Sequence, residues 1–149
     1  MTPHKSLIEH DPENGKWGDC FRTAIACLLD LPPDAVPHVC SGGDGTDADA
    51  MKAMEEWLSE NHGLAIMSVT VVADIVSMDE ALQYMGSLNQ NIYYLFVGKS
   101  RTGCVHNVVC LGGEIVHDPT PGDPGIVGPC DDGCYWFNFL TPCFKKAGS

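Results

Sequence analysis

The sequence predicts a single α+β domain in which three helices precede most of an antiparallel sheet. Before residue 90, apolar side chains recur at helical spacing in three segments. From residue 91 onward the apolar runs are short, rich in β-branched and aromatic residues, and separated by Gly, Pro, Asp and Ser. Because the chain of 149 residues shows no repeat and no linker, we assign one domain to residues 1–149.

Each of the three helical segments has a start signal, and the first two also have a stop signal. The apolar spacing predicts helices over residues 20–31, about 48–61, and from Ser77 to near Asn89. The start signals are side chains that can cap a helix N-terminus, namely Asp19, Asp47 and the capping-box pair Ser77 and Glu80. The first two stop signals are Pro32-Pro33 and Gly63.

Five apolar runs predict strands, over residues 64–73, 91–97, 106–111, 114–118 and 135–140. The pair Gly112-Gly113 separates two of these runs and predicts a hairpin. The connection over 119–134 is rich in Pro and Gly and is long for a link between strands. Because long loops in compact domains are often functional, we expect this loop to form a wall of a cleft, together with the bend over 32–45.

The chain is strongly acidic, with 20 acidic against 8 basic side chains and a formal net charge of -12. Its two arginines, Arg22 and Arg101, leave no basic stripe for phosphates, which argues against a nucleic-acid partner and against an anionic membrane surface. The N-terminal residues lack a secretory signal pattern, and the longest apolar run is too short to span a bilayer. We therefore expect a soluble, cytoplasmic protein, and the sequence does not indicate its oligomeric state.

The eight cysteines have irregular spacings and no export signal precedes them, so we expect most of them to be reduced. Cys27 and Cys110 lie within apolar segments, where small buried thiols are common. A second group has a C-x3-C pattern that is loosely compatible with zinc but lacks a second tight pair. Zinc binding, disulfides and free thiols therefore stay open for Cys130, Cys134 and Cys143, with Cys104 or Cys40 as further ligands.

The sharpest local feature is a cysteine at the predicted start of the first helix, in the sequence Trp17-Gly18-Asp19-Cys20. The unpaired N–H groups and the dipole of a helix N-terminus stabilise a thiolate there. A nucleophilic cysteine requires this environment. The alternative is that Cys20 is one more small buried thiol.

Two residues further along the chain could complete a nucleophilic site with Cys20. A catalytic thiol requires an imidazole that accepts its proton, and the imidazole requires a carboxylate or amide that fixes its orientation. His106 begins one predicted strand and Asp118 ends the next, and the Gly112-Gly113 hairpin brings these two ends together.

The register of this hairpin decides how the two side chains meet. A two-residue loop of Gly112-Gly113 places His106 opposite residue 119, whereas a three-residue loop with Gly113 in the left-handed conformation places it opposite Asp118. We therefore predict the three-residue loop or an equivalent bulge. Asn107 and His117 then lie on the opposite face, where His117 is expected to make a structural hydrogen bond.

Together these residues resemble a known family. The segments GDCFRTAIACLLDLP and HNVVCLGGEIVHDPTPG are similar to the papain-like cysteine peptidase superfamily. The nearest likeness is to bacteriocin-leader-processing peptidases and to small phage and bacterial papain-like proteins. It covers about residues 14–38 and 104–125, and implies a fold in which the cysteine helix packs on an antiparallel sheet that carries the histidine and the aspartate.

The resemblance implies roles for individual residues and an activity. Cys20 corresponds to the nucleophile, His106 to the general base and acid, and Asp118 to the orienting residue. Asn14 occupies the position where the superfamily often has an oxyanion-binding Gln, so it is a candidate donor beside the Cys20 N–H group.

The implied function is a cysteine hydrolase that cleaves a peptide, isopeptide or other amide bond of a peptide or protein substrate, without a metal or organic cofactor. One alternative is an acyltransferase or transglutaminase-like enzyme that uses the same triad. The other is a catalytically silent binding module, which the missing Gln and the adjacent Asp19 favour. The acidic residues Asp44, Asp47 and Asp49 lack a calcium-loop pattern and are interpreted as a solvated helix start.

Overall fold

The structure, a computed structural model, describes residues 1–40 and 47–144. These residues form three α-helices and five strands, which confirms the predicted α+β class. The helices are α1 (Cys20–Leu29), α2 (Asp47–His62) and α3 (Met78–Leu88). The strands are β1 (Leu64–Val72), β2 (Tyr93–Lys99), β3 (Val105–Leu111), β4 (Glu114–His117) and β5 (Cys134–Pro142).

The five strands form one antiparallel sheet in the order β1-β5-β2-β3-β4. β5, the last of the described strands, therefore lies inside the sheet between β1 and β2, and it pairs along its full length with β1 and over three residues with β2. Consecutive hairpins then add β3 and β4, which places β4 at one edge.

The sheet lies between two helical layers. Helices α1 and α2 cover one face, where Ile25 and Met54 pack with Leu95 and Val109. Helix α3 covers the other face, where Met85 packs in a cluster that includes Phe96 and Val108. This division follows from the alternation along β2 and β3, since neighbouring apolar residues in a strand point to opposite faces.

The helix ends agree with most of the predicted signals. The side chain of Ser77 accepts from the Glu80 N–H, and Glu80 accepts from the Ser77 N–H in return, so the capping box is confirmed. α2 ends at His62, and the following Gly63 has a φ of 62°. α1 ends two residues earlier than predicted, because Asp30 adopts a left-handed conformation with a φ of 57°. α2 begins at Asp47, and the side chain of Asp47, predicted as a cap, lies outside what the structure describes, as does the residue Asp44.

The hairpin between β3 and β4 differs from the prediction. Leu111 pairs with Glu114, so the loop has two residues, and the prediction of a three-residue loop is wrong. Gly112 has the positive φ, at 58°, whereas Gly113 packs against α3 so closely that a Cβ on Gly86 would lie 2.7 Å from the Gly113 nitrogen. The close approach of α3 therefore fixes this turn.

A bulge further along the hairpin does not restore the predicted pairing. The register shifts between Val109 and Cys110, so that Val109 pairs with His117. Beyond this shift, each β3 residue pairs with a residue one position later in the chain than it would without the bulge. A position of His106 opposite Asp118 would require a partner one position earlier, so the bulge moves the two residues further apart in the ladder. The two residues are therefore not opposed in the ladder.

Among the described residues, no helix is both long enough and apolar enough to cross a membrane.

Candidate active site

Cys20 is the first residue of α1, and its side chain is partly exposed. The N–H groups of the first helical turn have no acceptor within the helix, so they are available to a negative charge at this end of α1. The segment before it is held on two sides. The Gly18 N–H donates to Nδ1 of His10 over 3.1 Å, and the carbonyl of Trp17 accepts from Nε2 of His38 over 2.9 Å.

Asp19 occupies the cap position of α1, but its side chain does not cap the helix, so the predicted N-cap role is wrong. The carboxylate is buried and instead accepts from the backbone N–H groups of Leu7 and Ile8 and from Nε of Arg22. These partners come from the N-terminal segment and from the first turn of α1. The negative charge next to Cys20 is therefore paired with Arg22.

His106 and Asp118 form a buried hydrogen-bonded pair. Nε2 of His106 lies 2.7 Å from Oδ1 of Asp118, and the two residues are 4% and 8% exposed. Asp118 also accepts the Thr120 N–H at Oδ1 over 3.0 Å and the Gly125 N–H at Oδ2 over 2.8 Å. The start of the Pro/Gly-rich loop thus wraps around the carboxylate.

The pair meets because Asp118 has left the sheet. β4 ends at His117, and the chain turns at Pro119 so that Thr120 can donate back to Asp118. This is an Asx turn, in which an aspartate accepts a backbone N–H two residues further along. The predicted contact between His106 and Asp118 is therefore confirmed, although the predicted register is wrong.

The same loop returns to the sheet beside His106. Gly98 pairs with His106 in the β2–β3 ladder. A Cβ on Gly98 would lie 2.6 Å from both the carbonyl oxygen of Gly128 and Cγ2 of Ile126. A glycine is therefore required at this position for residues 126–128 to pack against β2.

The electrostatics of the pair favour an imidazolium beside a carboxylate. Burial opposes the protonation of His106, but the hydrogen bond to Asp118, the hydrogen bond and charge of Cys20, and the charge of Asp118 together raise its pKa to about 9. Burial also acts to raise the pKa of Asp118, but the hydrogen bonds from His106, Thr120 and Gly125 and the charge of His106 outweigh it, so this pKa is lowered.

Cys20, His106 and Asp118 are therefore neighbours. The interaction of His106 with Cys20 contributes to the raised pKa of the imidazole. Because Nε2 faces Asp118, Nδ1 is the ring nitrogen that remains for the thiol. A thiol, an imidazole and a carboxylate in this order can form a thiolate–imidazolium pair and transfer a proton during an acyl reaction.

The candidate oxyanion donor does not join this group. Asn14 ends a short turn over Pro12–Asn14 and is exposed. Its Nδ2 donates to Oδ2 of Asp11 over 2.6 Å, within its own turn. In the described part of the chain, no hydrogen bond links it to Cys20 or His106.

The other candidate residues have structural surroundings. Nε2 of His117 donates to the carbonyl of His4 over 2.7 Å, so its predicted structural hydrogen bond is confirmed. Asn107 pairs with Val97 and is buried with its Oδ1 unpartnered.

Cys27 and Cys110 are fully buried, as predicted. Burial raises the pKa of both thiols, that of Cys110 to about 12, so neither is a nucleophile at neutral pH. Cys134 and Cys143 carry free thiols. Within residues 1–40 and 47–144, no group of three side chains is placed to hold a metal ion.

Three contributors to the site were not predicted, namely Lys5, Thr120 and Gly125. The sequence Asp118-Pro119-Thr120 contains a local signal, since Asp followed by Pro favours an Asx turn. Lys5 is 113 positions from Asp118, and no local pattern links two residues at that separation.

A separate open cleft of about 460 Å³ lies between α3 and the β3–β4 turn. Its lining includes Gln83, Gln90 and Glu114 but none of the three candidate site residues. It offers no nucleophile beside a base, and we assign the candidate chemistry to the Cys20 site for that reason.

Comparison with protein-family models, with curated proteins and with solved structures finds no match. The resemblance to the papain-like superfamily therefore depends on the residues and their arrangement, and it stays a prediction.

Proposed function

We propose that the protein is a small papain-like cysteine hydrolase that cleaves a peptide, isopeptide or other amide bond. The observation that carries the proposal is the buried His106–Asp118 pair, with its 2.7 Å hydrogen bond, next to a cysteine that begins a helix. The packing of α1 against Leu95 and Val109 of the sheet is compatible with a papain-like arrangement.

In the proposed reaction, the Cys20 thiolate attacks the carbonyl carbon of the scissile amide. The imidazolium of His106 gives its proton to the leaving amine, and an acyl-enzyme forms. His106 then takes a proton from water as the water attacks the acyl carbon, and the thiolate leaves. Asp118 keeps the imidazole in position and stabilises its charge in both steps.

The negative charge that develops on the carbonyl oxygen requires hydrogen-bond donors. The N–H group of Cys20, at the start of α1, is the donor that the proposal uses, because first-turn N–H groups lack intrahelical acceptors. Asn14 is not part of this proposal, since its amide is bound to Asp11.

The test is the rate at which iodoacetamide alkylates Cys20 between pH 5 and pH 9, followed residue by residue with mass spectrometry. In the wild type we expect fast alkylation well below pH 8, because an adjacent imidazolium favours the thiolate. His106→Ala should slow the reaction at pH 6.5 by about tenfold or more. His62→Ala, at the exposed end of α2, is the matched control and should leave the rate unchanged. Equal rates in wild type and His106→Ala at every pH would refute the proposal.

The engagement of Asn14 favours one second candidate, a catalytically silent binding module on the same scaffold. An activated ester such as p-nitrophenyl acetate separates the two. A hydrolase releases several equivalents of nitrophenolate per protein, and Cys20→Ala removes this turnover. A silent module stops at one equivalent or less.

A further inference from the structure

The N-terminal strap, which we define as residues 2–8, bridges the two halves of the candidate site. On the α1 side, Thr2 donates its N–H to the carbonyl of Cys27 over 3.0 Å, and the N–H groups of Leu7 and Ile8 donate to the Asp19 carboxylate. The strap is thus the one described segment that we find bonded to both the nucleophile's helix and the loop of the carboxylate.

On the Asp118 side, the strap bonds to the chain at the end of β4. The Ser6 N–H donates to the carbonyl of Pro119 over 2.7 Å. The carbonyl of His4 accepts from Nε2 of His117 over 2.7 Å. These two bonds lie on either side of Asp118 in sequence, so the strap holds the backbone where the chain leaves the sheet.

Lys5 makes the most concentrated set of these contacts. Its Nζ donates to the carbonyl of Asp118 over 2.7 Å, to the carbonyl of Thr120 over 3.3 Å, and to Oδ1 of Asp123 over 2.5 Å. An ammonium group has three N–H donors, and all three are used here. The three acceptors belong to the turn whose N–H groups at Thr120 and Gly125 hold the Asp118 carboxylate.

We propose that Lys5 is a positioning residue for the triad: it holds the turn over 118–125 in the conformation that presents the Asp118 carboxylate to His106. The geometry supports this, because the ammonium binds the outer carbonyls of the turn while the carboxylate binds its N–H groups. A displacement of the turn by about 1 Å would stretch the 2.7 Å bond to His106 beyond hydrogen-bond length. The inference rests on the proposed function, since only there does the orientation of His106 matter for a reaction.

The test is the titration of His106 by NMR, with its resonance assigned from the spectrum of His106→Ala. Lys5→Met removes the donors and the charge but keeps much of the aliphatic stem, and Lys52→Met on the exposed face of α2 is the matched control. If Lys5 positions Asp118, Lys5→Met should lower the titration midpoint of His106 by about one pH unit, because a displaced Asp118 carboxylate stabilises the imidazolium less. Lys52→Met should leave the midpoint unchanged, and Lys5→Arg should restore much of it.

The sign of the shift separates positioning from charge alone. Lys5 is a cation near an imidazolium, so the loss of its charge without any movement of the turn would raise the His106 midpoint. An unchanged or raised midpoint in Lys5→Met therefore overturns the inference. If Lys5→Met does not fold, Lys5→Gln removes the positive charge but keeps a polar side chain, and its midpoint should move down by a smaller amount; no downward shift overturns the inference there as well.

The outcomes also separate this inference from the proposed function. If His106→Ala does not alter the alkylation of Cys20, the hydrolase proposal fails, whatever Lys5 does. If that alkylation depends on His106 but the His106 midpoint does not fall in Lys5→Met, the hydrolase proposal stands and the role of Lys5 is overturned.

Discussion

Replacing Asp118 with asparagine removes the negative charge beside His106 while keeping the size and shape of the side chain. In the folded protein the pKa of His106 is about 9, against an ordinary value of 6.5. A shift of this size corresponds to about 3 kcal/mol of preference for the protonated imidazole in the folded state. Burial opposes the protonation and Cys20 adds to it, so about 3 kcal/mol is the net of these effects and gives the order of what Asp118→Asn removes.

The sign of the pH dependence follows from the raised pKa. Below about pH 6.5 the imidazole is protonated in both the folded and the unfolded state, and the full stabilisation by Asp118 is present. Between 6.5 and 9 the folded state holds a proton that the unfolded state has lost, so stability falls as pH rises, and the contribution is gone above about pH 9. Asp118→Asn should therefore cost on the order of 3 kcal/mol more at pH 6 than at pH 10.

The assay is urea unfolding of wild type and Asp118→Asn at both pH values. Comparing the two proteins cancels groups that titrate equally in both, and it leaves the coupling between residues 106 and 118. Asparagine has one acceptor oxygen where aspartate has two, so it loses the hydrogen bond from either Thr120 or Gly125, and this adds a cost that does not depend on pH. A difference in stability that is equal at pH 6 and pH 10 would contradict the charged pair.

Two further predictions concern the scaffold around the site. Asp19→Ala should lower the free energy of unfolding in a urea titration by about 3 kcal/mol, because it leaves Arg22 and two strap N–H groups without their buried acceptor. The control Asp34→Ala, at an exposed position, should have little effect in the same titration. Gly86→Ala should lower the melting temperature and the free energy of unfolding, the latter by about 1–3 kcal/mol, because its Cβ would lie 2.7 Å from the Gly113 nitrogen. The control Gly128→Ala has open space around its Cβ and should be close to neutral. A stabilised Gly86→Ala would contradict the close packing of α3 on the turn.

Local signals predicted most of the secondary structure. The capping box at Ser77 and the glycine after α2 act over three or four residues, so the sequence contains all that determines them. The glycines between β3 and β4 are a local signal of the same kind for a hairpin, but they do not determine the length of its loop. That length depends on the approach of α3 at Gly86, which no local pattern could show.

The candidate site was predictable only in its principal residues. Cys20, His106 and Asp118 could be predicted because a nucleophile, a base and an orienting group each require a particular residue type, and each of these residues lies at the predicted end of a helix or strand. The role of Asp19 was predicted wrongly, because a local capping pattern competed with buried partners at Leu7 and Ile8. The strap contacts of Lys5 connect distant parts of the chain and are visible only in three dimensions.

The position of β5 between β1 and β2 has a consequence for the way the chain folds. β1 ends at Val72 and β5 begins at Cys134, so the longest ladder of the sheet closes a loop of about sixty residues. Until β5 docks, β1 and β2 each present an open edge that can pair with another chain. We therefore expect slow, late completion of the sheet, and a period during synthesis in which the nascent chain depends on protection from association.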